Sequence, residues 1–317
     1  SPATLSRPIV TGLLREELGF DGLVYTDSMR MRGVTELASA GEAAVGAIVA
    51  GHDVVLHSPD DDAAFASLRK AVENGVLAEE RVDASVRRIL EAKARLGLHR
   101  TRSVNLDTVP LVVGTRTHHA MAAEVSRRGM TLLKDERQHV PLRASRSASL
   151  LYLSVLDYPS GWGNGAPSRT FLPELERRWP NVTAVEVSDR TSRDELELLR
   201  ASIDRYDVVL ASVFVRTASF SGRMDLADGL VDLLRSVASR TEATGQPFIT
   251  VLFGNPYAAT FLTELPAMLL TYDFYDLAEA GAVRAVAGET AIDGHLPVTL
   301  GDQFPVGYGL TRKAAGR

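Results

Sequence analysis

Asp27 is the side chain best placed to do chemistry in the first third of the chain. It follows a short apolar run, residues 23–26, that is typical of a buried parallel strand. Parallel strands of an α/β barrel direct their C-terminal ends at the active face, and a carboxylate there can attack an electrophilic carbon. An Asp that caps the following turn would occupy the same position, so position alone leaves both roles open.

His57 is the second candidate, because it follows another apolar run. Residues 53–56 predict a buried strand, and His57 stands at its C-terminal end. It could contact a ligand near Asp27, although a structural role is also open. His118 and His119 are adjacent at the start of a predicted helix and cannot share one helical face, which argues against a metal site there.

A glycine-rich segment in the second half of the chain has the residue pattern of a dinucleotide-binding motif. Residues 161–166 fit G-x-G-x-x-A, with Asp189 about 20 residues further on. The glycines stand apart from the preceding strand, however, and Pro167 interrupts the helix that should follow. We therefore favour a loop whose Tyr158 or Trp162 can pack on a ligand.

The elements that must position Asp27 and His57 lie within residues 1–98. Helices are expected at 6–18, 36–50, from 60 onward and at 79–96, with Ser6 capping the first and Gly19 and Gly51 ending the first two. These amount to two strand–helix units with additional helices. A (β/α)₈ barrel needs eight such units over roughly 200–250 residues, so a barrel would place about six more strands ahead of Ser1.

The rest of the chain predicts a linker and a second domain. Residues 99–117 are rich in Thr, Arg, Pro and Gly and suit a linker, and residues 118–317 alternate between strands and helices. Strands are expected at 149–156, 182–187, 207–214, 248–253 and 267–272, and helices at 117–130, 168–179, 194–204, 225–240, 256–264 and 275–288. This alternation predicts a mainly parallel sheet with helices on both faces.

Composition narrows the function classes. The 317 residues are 45% hydrophobic and carry a formal net charge of -5, without a basic stripe, which argues against nucleic acid as a partner. No apolar run of about 18 residues predicts a membrane span. The absence of cysteine excludes a disulfide framework and a thiolate metal site.

Several motifs, in a fixed order, resemble glycoside hydrolase family 3. The region around Asp27 resembles the nucleophile region of that family, and further matches extend to the end of the chain. The matching motifs are Leu14-Arg15-Glu16-Glu17-Leu18-Gly19-Phe20-Asp21-Gly22, Thr26-Asp27-Ser28-Met29, Ala50-Gly51-His52-Asp53, Arg88-Ile89-Leu90, Leu132-Leu133-Lys134-Asp135, Gly294-His295-Leu296-Pro297 and Gly307-Tyr308-Gly309-Leu310. Ordered, spaced motifs are more specific than a single short pattern.

The resemblance implies an α/β fold, with the last strand–helix units of a TIM (β/α)₈ barrel followed by an αβα sandwich domain. It implies a bacterial-type, exo-acting, retaining β-glycoside hydrolase that needs no cofactor, with Asp27 as the catalytic nucleophile. Met29, Met31 and His57 are then candidates for sugar binding, while apolar packing remains open for the methionines. The carbohydrate partner would be a β-linked sugar, with peptidoglycan and chitin fragments among the candidates.

The resemblance also suggests a branch of the family. In the β-N-acetylhexosaminidase branch, a His–Asp pair on a barrel loop ahead of the nucleophile supplies the acid/base, and this chain would not contain that loop. In the β-glucosidase branch a Glu of the second domain does so, yet residues 215–224 contain no carboxylate. We therefore expect a β-N-acetylhexosaminidase releasing terminal N-acetylglucosamine. The alternatives are a β-glucosidase or β-xylosidase, or a non-catalytic αβα binding module.

Overall fold

A computed structural model describes residues 2–156, 167–215 and 226–315. The chain divides into two compact units, Ser1–Val109 and Pro110–Arg317. Each unit is described separately below. No helix among the described residues is both long and apolar enough to cross a membrane.

The first unit is mostly helical. A single turn, Ala3–Leu5, precedes a helix over Pro8–Glu17. The remaining helices are α1 (Arg32–Thr35), α2 (Ala40–Ala50), α3 (Asp61–Glu73) and α4 (Glu79–Arg95), and a short helix, α5 (Val109–Val112), lies where the two units divide.

Two extended segments run parallel within this helical unit and correspond to the two predicted strands. They form one parallel bridge, between Tyr25 and Val54. Around it, the amide of Thr26 donates to the carbonyl of Val54 at 3.0 Å, and the amide of Asp53 donates to the carbonyl of Val24 at 2.8 Å. The two segments therefore end side by side, as parallel neighbours must.

Side-chain caps fix the starts of α2 and α3 but not the start of the first helix. Ser39 forms a reciprocal capping box with Glu42 at the start of α2, and Asp60 caps α3. The prediction that Ser6 caps the first helix was wrong. That helix begins at Pro8 without a side-chain cap, because the Ser6 carbonyl accepts the first helical amide bonds and Pro8 has no amide hydrogen to satisfy.

The second unit is built on a six-stranded sheet. Its strands are β1 (Thr131–Asp135), β2 (Leu150–Leu156), β3 (Val182–Ser188), β4 (Val208–Val215), β5 (Phe248–Gly254) and β6 (Ala267–Leu270), in the order β1-β6-β5-β4-β2-β3. Strands β2 to β6 pair in parallel, as predicted. Strand β1 was missed and pairs antiparallel with β6 at the edge.

Helices cover both faces of this sheet. They are α7 (Phe171–Arg178), α8 (Arg193–Ser202), α9 (Asp228–Thr244) and α10 (Asp276–Val286), and a further helix, α6 (Arg116–Gly129), packs against α10. Side chains of α8 and α9 contribute to one buried apolar cluster, and those of α7 and α10 contribute to another. The predicted helix at 256–264 is instead a tighter 3₁₀ segment, Pro256–Phe261, capped by Asn255.

The glycine-rich motif of residues 161–166, with Tyr158 and Trp162, lies outside the described residues, as do residues 216–225. Strand order reverses between β2 and β4, which is where open parallel sheets form a crevice.

Candidate active site

Asp27 stands directly after the first extended segment, on a backbone that Thr26 fixes. Thr26 is buried, and its hydroxyl accepts the Leu56 amide at 2.9 Å. Two residues after Asp27, the Met29 amide donates to the Leu56 carbonyl at 3.1 Å. The main chain is thus tied to the neighbouring segment on both sides of Asp27.

The Asp27 carboxylate is exposed and oriented by its own loop. Its Oδ1 accepts the Ser28 amide at 2.6 Å. This hydrogen bond uses Oδ1, so Oδ2 is left to face a reacting atom. The arrangement is compatible with nucleophilic attack and equally with the local capping of a turn, as the sequence indicated.

His57 lies beside this loop, as its position at the end of the second segment predicted. Its Nδ1 is 3.0 Å from the Ser28 hydroxyl, and the Arg30 amide donates to the same hydroxyl at 3.3 Å. Among the residues that the structure describes, His57 is one of four non-glycine residues in the left-handed region, with φ +56°. Such conformations cost free energy and cluster at functional sites.

The two candidate methionines have different surroundings. Met29 is 2% exposed and packs in a core cluster with Val34, Ala43 and Ala47, which favours the packing alternative for this residue. Met31 is 46% exposed, so its thioether can be reached from solvent.

Asp53 joins the starts of the two extended segments that lead to Asp27 and His57, a role that the sequence did not indicate. Its side chain is fully buried and accepts hydrogen bonds from Arg15 Nη2 (2.6 Å), Ser85 Oγ (2.7 Å), Arg88 Nη1 (3.1 Å) and the Val24 amide (3.1 Å). Arg81 approaches Asp53 to 3.6 Å. The bond to Val24 links the start of one extended segment to the other.

The charge on Asp53 is maintained in spite of burial. Burial by itself would raise the pKa of Asp53, but the hydrogen bonds from Ser85 and the Val24 amide, together with Arg15 and Arg88, lower it below its usual value. Burial lowers the pKa of the neighbouring His52 and thus favours its neutral form. The His52 Nδ1 atom is hydrogen-bonded to the Ala47 carbonyl at 3.2 Å. His52 is therefore a core histidine.

In the second unit, two acidic side chains near the C-terminal ends of the sheet, Asp276 and Glu279, already have partners. Asp276 pairs with Arg169 at 2.6 Å. Glu279 is buried, and burial raises its pKa even though it accepts the amides of Ser168, Thr170 and Phe171 at 2.7–3.0 Å. Those bonds satisfy the first turn of α7, which lacks a cap of its own, so Glu279 has a structural role.

Within the described ranges, no group of three or more His, Asp or Glu side chains could hold a metal ion.

Comparison with known proteins identifies related sequences and folds. Residues 1–92 match the model of the glycosyl hydrolase family 3 N-terminal domain. A β-N-acetylglucosaminidase/β-glucosidase of Cellulomonas fimi is 28% identical over 94% of this chain, and a putative β-xylosidase of Formosa agariphila is 26% identical over 95%. A solved β-N-acetylglucosaminidase structure from Paenibacillus superposes with a TM-score of 0.73 at 24% identity, covering 92% of this chain and 53% of that one.

These likenesses concern only part of each relative. This chain covers 52% of the Cellulomonas protein and 42% of the Formosa protein. The chain thus spans about half the length of the curated relatives it matches.

Proposed function

We propose that this chain carries the nucleophile half of a retaining β-glycoside hydrolase, because residues 1–92 match the glycosyl hydrolase family 3 N-terminal domain and 94% of the chain aligns with a β-N-acetylglucosaminidase/β-glucosidase. The observation that supports this best is the placement of Asp27. Its exposed carboxylate stands at the end of a parallel segment, oriented by the Ser28 amide at 2.6 Å, inside the Thr26-Asp27-Ser28-Met29 motif.

In this proposal Asp27 acts in two steps. Its free oxygen attacks the anomeric carbon, an ester bond to the sugar forms, and the bond to the leaving oxygen breaks as that oxygen takes a proton from an acid. Water, deprotonated by the same acid/base group, then attacks the anomeric carbon and releases Asp27. Retention requires the two groups to lie about 5 Å apart.

We place the acid/base group in the part of the relatives' length that this chain does not cover. This follows from the resemblance to the hexosaminidase branch, and from the 215–224 segment, which contains no carboxylate. Residues 1–98 would then complete a TIM barrel, residues 99–117 would form the linker, and residues 118–317 would form the αβα sandwich. The parallel segments at Tyr25 and Val54 and the two-sided sheet support this division.

The preferred substrate is a terminal β-linked N-acetylglucosamine, with Met31 and His57 as sugar contacts. The Cellulomonas relative is named for both N-acetylglucosaminidase and β-glucosidase activity, and the Formosa relative for β-xylosidase activity. A β-glucosidase or β-xylosidase is therefore the competing proposal, and a non-catalytic module is the third.

The nucleophile is tested by Asp27→Asn in the full-length protein that contains this chain. We expect kcat on aryl glycosides to fall by several orders of magnitude with an unchanged thermal unfolding profile, because the amide cannot form the glycosyl ester. Asp21→Asn, at another exposed aspartate of the preceding turn, should leave kcat nearly unchanged. Near-normal turnover by Asp27→Asn would exclude the proposed role.

The substrate is tested on one preparation with two aryl glycosides. We expect kcat/KM for the β-N-acetylglucosaminide to exceed that for the β-glucoside at least about tenfold, which corresponds to about 1.4 kcal/mol in transition-state binding. Equal values, or a preference for the glucoside, would favour the competing branch.

A further inference from the structure

The Ser28 side chain is the junction between the Asp27 loop and the loop that contains His57. The Ser28 amide holds the Asp27 carboxylate at 2.6 Å, and the Ser28 hydroxyl meets His57 Nδ1 at 3.0 Å. A second link joins the same loops, because Arg30 Nε donates to the Ser58 carbonyl at 3.3 Å. Asp27 is thus adjacent in sequence to Ser28, the residue that links the two loops.

The hydrogen bond with Ser28 occupies one ring nitrogen of His57, the Nδ1 atom. Ser28 Oγ accepts the Arg30 amide, and its remaining capacity is one proton and one lone pair. Whether Nδ1 accepts the hydroxyl proton or donates to the oxygen, that nitrogen is used by Ser28. The Nε2 atom is then the only ring nitrogen open to a sugar.

The backbone of His57 indicates that this cross-link is maintained at a cost. A left-handed φ of +56° is uncommon for a residue with a Cβ, although Asn, Asp and His adopt it more readily than other residues do. Ser58 follows at once with a buried side chain that bonds the Asp60 carbonyl at 3.0 Å, so the chain direction after His57 is constrained. The strained conformation brings the imidazole to Ser28.

We propose that His57 is a positioning residue for the nucleophile, acting through Ser28. Its Nδ1 fixes the Ser28 side chain, and the rigid Ser28 backbone fixes the rotamer of the Asp27 carboxylate before a substrate binds. This inference rests on the proposed function of Asp27 and deepens it, because it assigns His57 an effect on the chemical step that is separate from sugar contact.

Two replacements of His57 separate the positioning effect from sugar contact. Asn retains a polar atom near the position of Nδ1 and tolerates the left-handed backbone, but it has no counterpart of Nε2. Ala removes both nitrogens. The substrate is a dinitrophenyl β-glycoside of the preferred sugar, whose leaving group needs little acid assistance, so that kcat reports attack by Asp27.

We expect His57→Ala to lower kcat about tenfold and His57→Asn to recover kcat to within about threefold of the wild type, while any rise in KM from the lost Nε2 contact is the same in both variants. The double variant Ser28→Ala/His57→Ala should be no slower than His57→Ala alone, since both changes break one interaction. Equal impairment of His57→Asn and His57→Ala with a raised KM would instead assign His57 to sugar contact. Independent, multiplicative losses in the double variant would also overturn the proposal.

A readout without turnover keeps this inference distinct from the proposed function. In the full-length protein labelled with ¹⁵N-histidine, Ser28→Ala should shift the Nδ1 resonance of His57, because the hydroxyl partner is gone. An unchanged resonance would show that Ser28 and His57 do not interact, and would thereby refute the positioning role. A wild-type protein that hydrolyses no aryl glycoside would refute the proposed function, and the positioning role with it, whatever the resonance shows.

Discussion

Replacing Asp53 by alanine is expected to destabilise the first unit by about 3–5 kcal/mol, because it leaves three arginines without their shared buried anion. Asp53 accepts bonds from Arg15, Arg88, Ser85 and the Val24 amide. Hydrogen bonds to a charged group contribute about 1.5–3 kcal/mol each, so their simple sum would exceed this value. The smaller figure is appropriate because Arg15, Arg81 and Arg88 are 13–32% exposed and regain water when Asp53 is lost.

The stabilisation by Asp53 depends on pH in a defined direction. Its pKa in the folded protein is lowered, so the folded state binds the proton less tightly than the unfolded chain does. The contribution is therefore fully present above the unfolded pKa, about 3.9, and is lost as pH falls through the lower folded value. The alanine variant should lack this part of the acid sensitivity.

Hydrogen exchange followed by mass spectrometry is the suitable assay, because a two-unit protein need not unfold in one step. Peptides that cover residues 20–57 should lose protection corresponding to about 3–5 kcal/mol in Asp53→Ala. The matched control is Arg32→Ala, which breaks a surface pair with Glu36 and should cost less than about 1 kcal/mol. Protection in Asp53→Ala within about 1 kcal/mol of the wild type would refute the assignment of Asp53 as the anchor of the two parallel segments.

Two further predictions concern the second unit. Burial raises the pKa of Glu279, so its contribution to stability is present below the ordinary glutamate pKa of about 4.3 and is lost as pH rises through the folded value. In urea unfolding measured at a series of pH values, Glu279→Gln should weaken the pH dependence of the unfolding free energy. An unchanged pH dependence would contradict this role of Glu279. Arg312→Met should lower the free energy of opening of β1, measured by hydrogen exchange, by about 3–5 kcal/mol. The reason is that the buried Asp135 carboxylate loses its bond to Arg312 Nη2 at 2.7 Å. Exchange of β1 peptides at the wild-type rate would show that the amides of His139 and Val140 suffice for Asp135.

Local sequence determined much of this protein. The cap at Asp60 and the positive-φ glycines at Gly19 and Gly51 act within a few residues, so those helix ends were readable without a structure, whereas α2 begins at Ala40, after the Ser39 capping box, and not at the predicted residue 36. The apolar runs before Asp27 and His57 likewise predicted that both residues would stand at the ends of buried extended segments. Parallel pairing then required those ends to meet on one side.

Only the tertiary structure decided which distant residues share one environment. Asp53 is joined by arginines from the first helix and from α4, and Glu279 of α10 satisfies the start of α7, because folding brings these partners together across long stretches of chain. Strand β1 was missed for the same reason, since its antiparallel place depends on the edge of β6 being open to it. The link between Ser28 and His57 also depends on a left-handed φ at His57, which no local periodicity encodes. Periodicity and caps report interactions within a few residues, whereas the charge networks and the site depend on contacts whose partners are set by the packing of the whole unit.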